Sequence, residues 1–288
     1  MSQFQRFEIP GHVRFVEVKG GLPRVLVTSR WSTAEIYLHG AHVTAFQKTG
    51  EPPLLFLSES SKFAPGMPIR GGVPVIFPWF GPREQLPAHG FARTVSWDLL
   101  GSTLLDDGAV RLRLRLPSIG SYEVEFVVTV GATLRMALYV RNAGRFGANF
   151  ESCLHTYFQV SSIHAISISG LEGARYFDKV ANTNATEGPA PLRVGGEVDR
   201  VYPGTTETVE ISDPGHSRRI RIGKTGSKST VVWNPWIDKS NQLPDFGAED
   251  YLQMVCVESG NIGEDAVILP PGEVAVLAVE IASDITDR

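Results

Sequence analysis

Apolar and polar residues alternate in short runs along most of the chain, and a period of two predicts strands. The strictest run is 110–116, where Arg111, Arg113 and Arg115 interleave with Leu112, Leu114 and Leu116, so one face of the strand is wet and the other dry. Further strand-like runs fall at 13–18, 25–29, 34–40, 54–57, 95–100, 123–130, 134–140, 164–169, 175–180, 207–211, 218–222 and 272–281, with glycine and Asp-Gly turns between neighbours. One helical turn is expected at 58–63 and one helix over 242–251. No strand alternates with a long amphipathic helix, which argues against a βαβ sheet. The pattern predicts an all-β protein, one domain over 1–288, built from two large, mostly antiparallel sheets packed on each other.

Two strands carry polar residues where a purely structural strand is apolar. Over 149–160, NFESCLHTYFQV, alternation puts Glu151, Cys153, His155 and Tyr157 on one face and Ser152, Leu154, Thr156 and Phe158 on the other. A lone histidine among apolar neighbours is more often a satisfied core residue than a catalyst, so His155 needs support from elsewhere. Over 252–258, LQMVCVE, the residues Leu252, Met254, Cys256 and Glu258 share a face, and the apolar ones place Glu258 at the edge of buried surface. A carboxylate there is costly unless paired, which marks it for chemistry.

The segment 69–93, IRGGVPVIFPWFGPREQLPAHGFAR, leaves the strand pattern altogether. Pro74, Pro78, Pro82 and Pro87 exclude a long helix and make it mostly loop. Arg70 and Arg93 bracket Gly71-Gly72, Phe77, Trp79, Phe80 and His89-Gly90. Two cations, a histidine and aromatic faces suit a polar, anionic small molecule. Other polar clusters read more plainly. Arg111, Arg113 and Arg115 form a solvated face, and Asp199 beside Arg200 is by default a surface ion pair worth little. His39 and His42, three residues apart on a strand, point to opposite faces and make no metal pair.

Lys and Arg number 27 against 31 Asp and Glu, the net charge is −4, and the basic residues are dispersed, so no footprint for nucleic acid is present. The stretch MSQFQRFEIPGH holds no apolar signal region and no window approaches a membrane span, so a cytoplasmic protein without a membrane partner is expected. Cys153 and Cys256 are too few for a disulfide framework or a cysteine metal site and read as small core hydrophobes. The acceptor pattern Asn184-Ala185-Thr186 carries no weight without a secretory signal. Phosphate-cradling glycine loops, a nucleophile elbow and metal-ligand spacings are all missing from the sequence. A histidine and a glutamate remain, with ordinary pKa values of about 6.5 and about 4.3 that suit proton transfer.

Arg70-Gly71-Gly72-Val73-Pro74 with Phe77-Pro78 and Phe80-Gly81, His89-Gly90-Phe91-Ala92-Arg93, Leu154-His155-Thr156-Tyr157-Phe158, Val198-Asp199-Arg200-Val201-Tyr202, Val232-Trp233-Asn234-Pro235-Trp236 and Cys256-Val257-Glu258-Ser259-Gly260-Asn261 follow one another along the chain. In that order, and over nearly the whole length, they strongly resemble the glucose-6-phosphate 1-epimerases, or hexose-6-phosphate mutarotases, of the aldose 1-epimerase superfamily. The resemblance implies a galactose-mutarotase-like β-supersandwich with an open sugar cleft on one sheet. It implies a monomer that acts on a small sugar phosphate without cofactor or metal. Glu258 matches the general base that takes the anomeric hydroxyl proton, and His155 the acid that protonates the ring oxygen. Ring opening, rotation about C1–C2 and reclosure then give the other anomer. Arg70 and Arg93 match substrate-binding arginines placed to hold the 6-phosphate, His89 would bond sugar oxygens, and Asp199 would add a sugar contact. His155 and Glu258 should therefore converge on opposite sides of one cleft. Ala88 stands where members often have glutamine and Trp79 where a smaller polar residue is common, and both bear on substrate preference rather than chemistry.

A non-catalytic sugar-binding or sensor domain on the same fold is the main alternative. A matched acid and base argue against it, since a binder needs neither. A mutarotase of unphosphorylated sugars would not need two arginines, and glycoside hydrolysis would call for a carboxylate pair. As mere structure, the same residues would be a core histidine, an edge glutamate and surface arginines, each credible alone and improbable together in this order.

Overall fold

The computed structural model describes residues 2–17 and 20–286. Val18, at the end of the first expected strand, lies outside them. Two eight-stranded sheets form the body. The first, here the cleft sheet, runs from Thr183–Thr186 through Arg175–Asp178, Val198–Pro203, Ser229–Asn234, Met254–Asn261 and Ser152–Leu154 to Val75–Ile76, with Tyr157–Gln159 also paired to Met254–Asn261. The second, the back sheet, runs from Ser167–Ser169 through Val209–Asp213, Arg218–Thr225, Val274–Ile285, Leu134–Asn142, Tyr122–Val130 and Val110–Arg115 to Asp98–Leu104. A four-stranded side sheet spans Val13–Glu17, Pro23–Thr28, Ser32–Tyr37 and His42–Lys48. Neighbouring strands pair antiparallel.

Alternation in the sequence becomes alternation of burial. Val110, Leu112 and Leu114 are wholly buried, whereas Arg111, Arg113 and Arg115 are exposed and Arg113 donates to Glu125 on the next strand. Each such aliphatic side chain contributes about 1.5–3 kcal/mol on leaving water. One apolar cluster contains residues from all three sheets, among them Val25, Ile36, Phe126, Ile220, Val232 and Val255. On the cleft sheet, Leu154, Phe158, Val232, Val255 and Val257 belong to that cluster. Their alternates Cys153, Tyr157, Trp233 and Cys256 therefore point out of the opposite face, where they form separate buried clusters. That second buried face is the candidate site.

Several local expectations change. The 149–160 run is three short strands, Ala148–Phe150, Ser152–Leu154 and Tyr157–Gln159, the first of them in a separate two-stranded ribbon with Val267–Leu269. His155 falls in the gap, where its N–H donates to the Pro74 carbonyl at 3.0 Å, yet the two-residue parity survives the interruption. The 54–57 run makes only isolated bridges, Leu55 to Phe158 and Leu57 to Gly71, and 58–63 holds a turn instead of helix. The α-helix lies at Trp236–Gln242 rather than 242–251. Asn234 Oδ1 accepts the Trp236 N–H at 2.9 Å at its start, and Leu243, which precedes Pro244, is forced into extended backbone at its end. His39 and His42 are both buried and donate to the Met67 and Gly71 carbonyls at 2.7 Å, so they fasten the loop that follows. No helix among the described residues is long and apolar enough to cross a membrane.

Candidate active site

Register assembles the site in rows across the cleft sheet. Asp199, Trp233, Cys256 and Tyr157 are successive cross-strand partners, and Val201, Val231 and Glu258 form the next row. His155 lies beside Glu258 on the adjoining strand edge, with Nε2 3.2 Å from Oε1. The acid and base candidates are thus lateral neighbours and do not face each other across the cleft, because their strands are adjacent. The His155 ring stacks on Tyr157 at 4.9 Å and meets Trp233 edge-on at 6.1 Å, which fixes its plane. Glu258 is 1% exposed and His155 8%.

Such burial disfavours charge on both. Desolvation pushes the Glu258 carboxyl well above its usual range, with Asp199 adding and Lys179, Cys153 and Arg93 opposing. Desolvation also pulls His155 well below an ordinary imidazole, helped by His89, Arg93 and Arg70. Both shifts favour the arrangement in which the carboxyl of Glu258 is protonated and the imidazole of His155 is neutral. His89 is pulled down to about 3 by burial first and then by Arg93, Lys179 and Arg70, so its ring is neutral.

The 69–93 loop is threaded against the sheet by close backbone approaches. Gly72, at φ +59°, leaves no room for a Cβ, which would lie 2.3 Å from the Val43 carbonyl oxygen. Gly90, at φ +69°, is tighter still, at 2.0 Å from the Phe77 carbonyl oxygen. Glu151 holds the loop from below, accepting from Phe80 N–H at 2.9 Å and Gly263 N–H at 2.7 Å. His89 then stands 4.8 Å from the Phe80 ring and 5.8 Å from that of His155.

The two arginines differ in kind. Arg70 donates to Tyr157 Oη and to Asp245 Oδ1, both at 3.1 Å, and these partners outweigh its desolvation and strengthen its charge. Arg93 donates to the Ala88 carbonyl at 2.9 Å and, among the described residues, forms no carboxylate ion pair. Desolvation lowers it to about 10, and its Nε, like that of Arg70, is buried without a partner. Of the two arginines, Arg93 is thus the one without a carboxylate partner among the described residues. Asp199 is raised by burial and opposed by Lys179, whose Nζ lies 3.5 Å from Oδ1 and 4.7 Å from the centre of the Phe80 ring.

All six sequence candidates, His155, Glu258, Arg70, His89, Arg93 and Asp199, thus border one region. Sequence reasoning overlooks Lys179 and Asp245: it expects them inside a strand over 175–180 and a helix over 242–251, whereas both lie in turns and acquire their partners from distant segments. His155, Cys256 and Glu258 bring donor atoms within 4.8 Å of one another. Burial pushes the Cys256 thiol well above its usual pKa, so a cation bound by the trio would have to displace its proton.

The profile of the aldose 1-epimerase family matches residues 24–282. The chain belongs to the aldose 1-epimerase family. This epimerase is 36% identical over 244 residues to a candidate glucose-6-phosphate 1-epimerase of Escherichia coli, with 80% of each chain covered. It is 34% identical over 276 residues to a candidate glucose-6-phosphate 1-epimerase of Cenchrus ciliaris, covering 90% of this chain and 84% of the other. A candidate mutarotase of Salmonella typhimurium superposes with a TM-score of 0.89 at 27% identity, over 96% of this chain and 95% of that one. A galactose mutarotase-like protein of Clostridium acetobutylicum shares the fold at a TM-score of 0.71 and 13% identity, over 95% and 98%. The aldose 1-epimerase chain is therefore an all-β, galactose mutarotase-like sandwich.

Proposed function

We propose that this epimerase interconverts the α and β anomers of a hexose 6-phosphate, glucose 6-phosphate foremost. The observation that carries the reading is the buried His155–Glu258 pair, 3.2 Å apart on adjacent strands. The anomeric hydroxyl oxygen and the ring oxygen are both bonded to C1, so an acid and a base that serve them have to stand side by side. Cross-strand neighbours do so.

The Glu258 carboxylate takes the anomeric hydroxyl proton as that oxygen becomes the aldehyde carbonyl. The bond from C1 to the ring oxygen breaks, and the His155 imidazolium protonates the departing oxygen. After rotation about C1–C2 the ring hydroxyl attacks the other face of the carbonyl, His155 recovers its proton, and Glu258 returns the first one. The pair holds one proton when the ring is closed and one when it is open. Burial favours the arrangement with both groups neutral in the empty site, so the shared proton passes from Glu258 to His155 across their 3.2 Å contact before the ring opens, and the pair is neutral again when the chain is open.

Arg93, with no carboxylate of its own and a buried unpartnered Nε, supports an anionic group on the substrate, and Arg70 adds a second, partly neutralised cation. In this reading His89 and Asp199, which border the same region, bond sugar hydroxyls. Two-dimensional exchange NMR on glucose 6-phosphate and on glucose tests the reading. Catalysed exchange of the phosphorylated sugar, and little with the other, is expected; catalysed exchange of neither overturns it.

A further inference from the structure

We propose that Cys153 is a positioning residue for Glu258: its thiol donates to Oε2, fixes the rotation of the carboxylate so that Oε1 meets His155, and binds weakly enough to leave an effective base. The inference rests on the reading of Glu258 as that base. Sγ lies 3.4 Å from Oε2, and both residues are almost fully buried. Among the described residues this is the one hydrogen bond that reaches the Glu258 carboxylate, since His155 approaches only the other oxygen, at 3.2 Å. Ile76, Val231 and Ile262, which pack with Cys153, are apolar and offer no side-chain donor.

Strand register makes room for the contact. Cys153 stands opposite Gly260, where a Cβ would come within 3.1 Å of Sγ. A side chain at that position would press on the thiol, so the glycine and the cysteine form a unit beneath the base. The remaining charged and titratable neighbours are His155 on the adjoining strand edge, Cys256 on the same strand, Asp199 one row away, and Lys179 and Arg93 in the cleft. The last three act on Glu258 through charge, whereas the thiol alone touches Oε2. A hydroxyl or a backbone amide in its place would stabilise the anion more and weaken it as a proton acceptor.

Cys153→Ala and Cys153→Ser separate this role from packing. The Glu258 carboxyl band, isolated as an infrared difference against Glu258→Gln, is followed through a pH titration in each background. Loss of the donor in the alanine variant should move the carboxyl titration up by about half to one pH unit, and the stronger serine donor should move it down by a similar amount. In both variants kcat should fall while KM for hexose 6-phosphate holds. Titrations that stay at the wild-type position, or that move the same way in both variants, overturn the proposal. Should the wild type catalyse no exchange, the epimerase reading falls, and the infrared titration still decides the thiol.

Discussion

Glu258 and His155 work only if they carry one proton between them. Glu258→Gln keeps the shape but cannot accept a proton, so kcat should drop by about 10²–10⁴-fold with sugar phosphate still bound, as measured by exchange NMR and by ligand titration. Burial sets the sign of the pH dependence. It lowers His155, which postpones gain of a second proton to lower pH, and raises Glu258, which postpones loss of the last one to higher pH. With the substrate phosphate's own titration subtracted, kcat/KM should stay flat through neutrality. An acid limb at an unshifted imidazole value, about 6.5, would contradict this. The arginines should separate. Arg93→Ala removes a cation with no carboxylate partner among the described residues and should raise KM for hexose 6-phosphate about ten- to hundred-fold while kcat changes little. Arg70→Ala also strands Asp245, so a loss of stability in denaturant titration should accompany its effect on KM. Equal effects of Arg93→Ala on phosphorylated and plain sugar would move the phosphate contact elsewhere. Legibility follows the same division: His155 and Glu258 stand out because alternation exposes a polar residue in an apolar row, whereas nothing local marks Lys179 or Asp245.

At the scale of elements, the strand is what made the site readable. Two-residue parity puts Cys153, His155 and Tyr157 on one face across a break in the strand, where the loop carbonyl of Pro74 takes the N–H of His155 and the Leu154 carbonyl takes that of Thr156 in a tight turn. The helix was placed late because the apolar pattern gave no start signal, while Pro244 and the Asn234 side chain decide its limits. The 69–93 loop depends on glycines at contact. Gly90→Ala should cost about 2 kcal/mol or more in thermal or chemical denaturation, from left-handed strain alone, and should disable sugar binding because His89 and Arg93 flank it. Near-normal KM in that variant would show that the loop is not what presents them. The trio on adjacent strands, His155, Cys256 and Glu258, invites a separate check. Exhaustive chelation should leave exchange rates unchanged, and loss restored by a divalent ion would reassign it.

Across the whole molecule, one buried side chain ties the sheets together. Arg218 of the back sheet, 1% exposed, pairs with the fully buried Asp213 and donates to the Pro52 and Pro53 carbonyls beyond the side sheet and to Gln159 of the cleft sheet. Asp213 would keep its hydrogen bonds from Ser161 and its contact with His216, but the three backbone carbonyls would lose their donor, so Arg218→Ala should lose about 3 kcal/mol in denaturant titration with the catalytic pair itself untouched. The placement of that pair has a consequence for how the protein fails. Glu258 belongs to a strand held on both edges by other strands, whereas His89 and Arg93 ride on a proline-rich loop. Amide hydrogen exchange should find the backbone around Glu258 opening only with the global unfolding event, and the loop opening earlier and on its own. Under rising denaturant the epimerase should lose its hold on the sugar phosphate while the machinery that moves its protons is still standing.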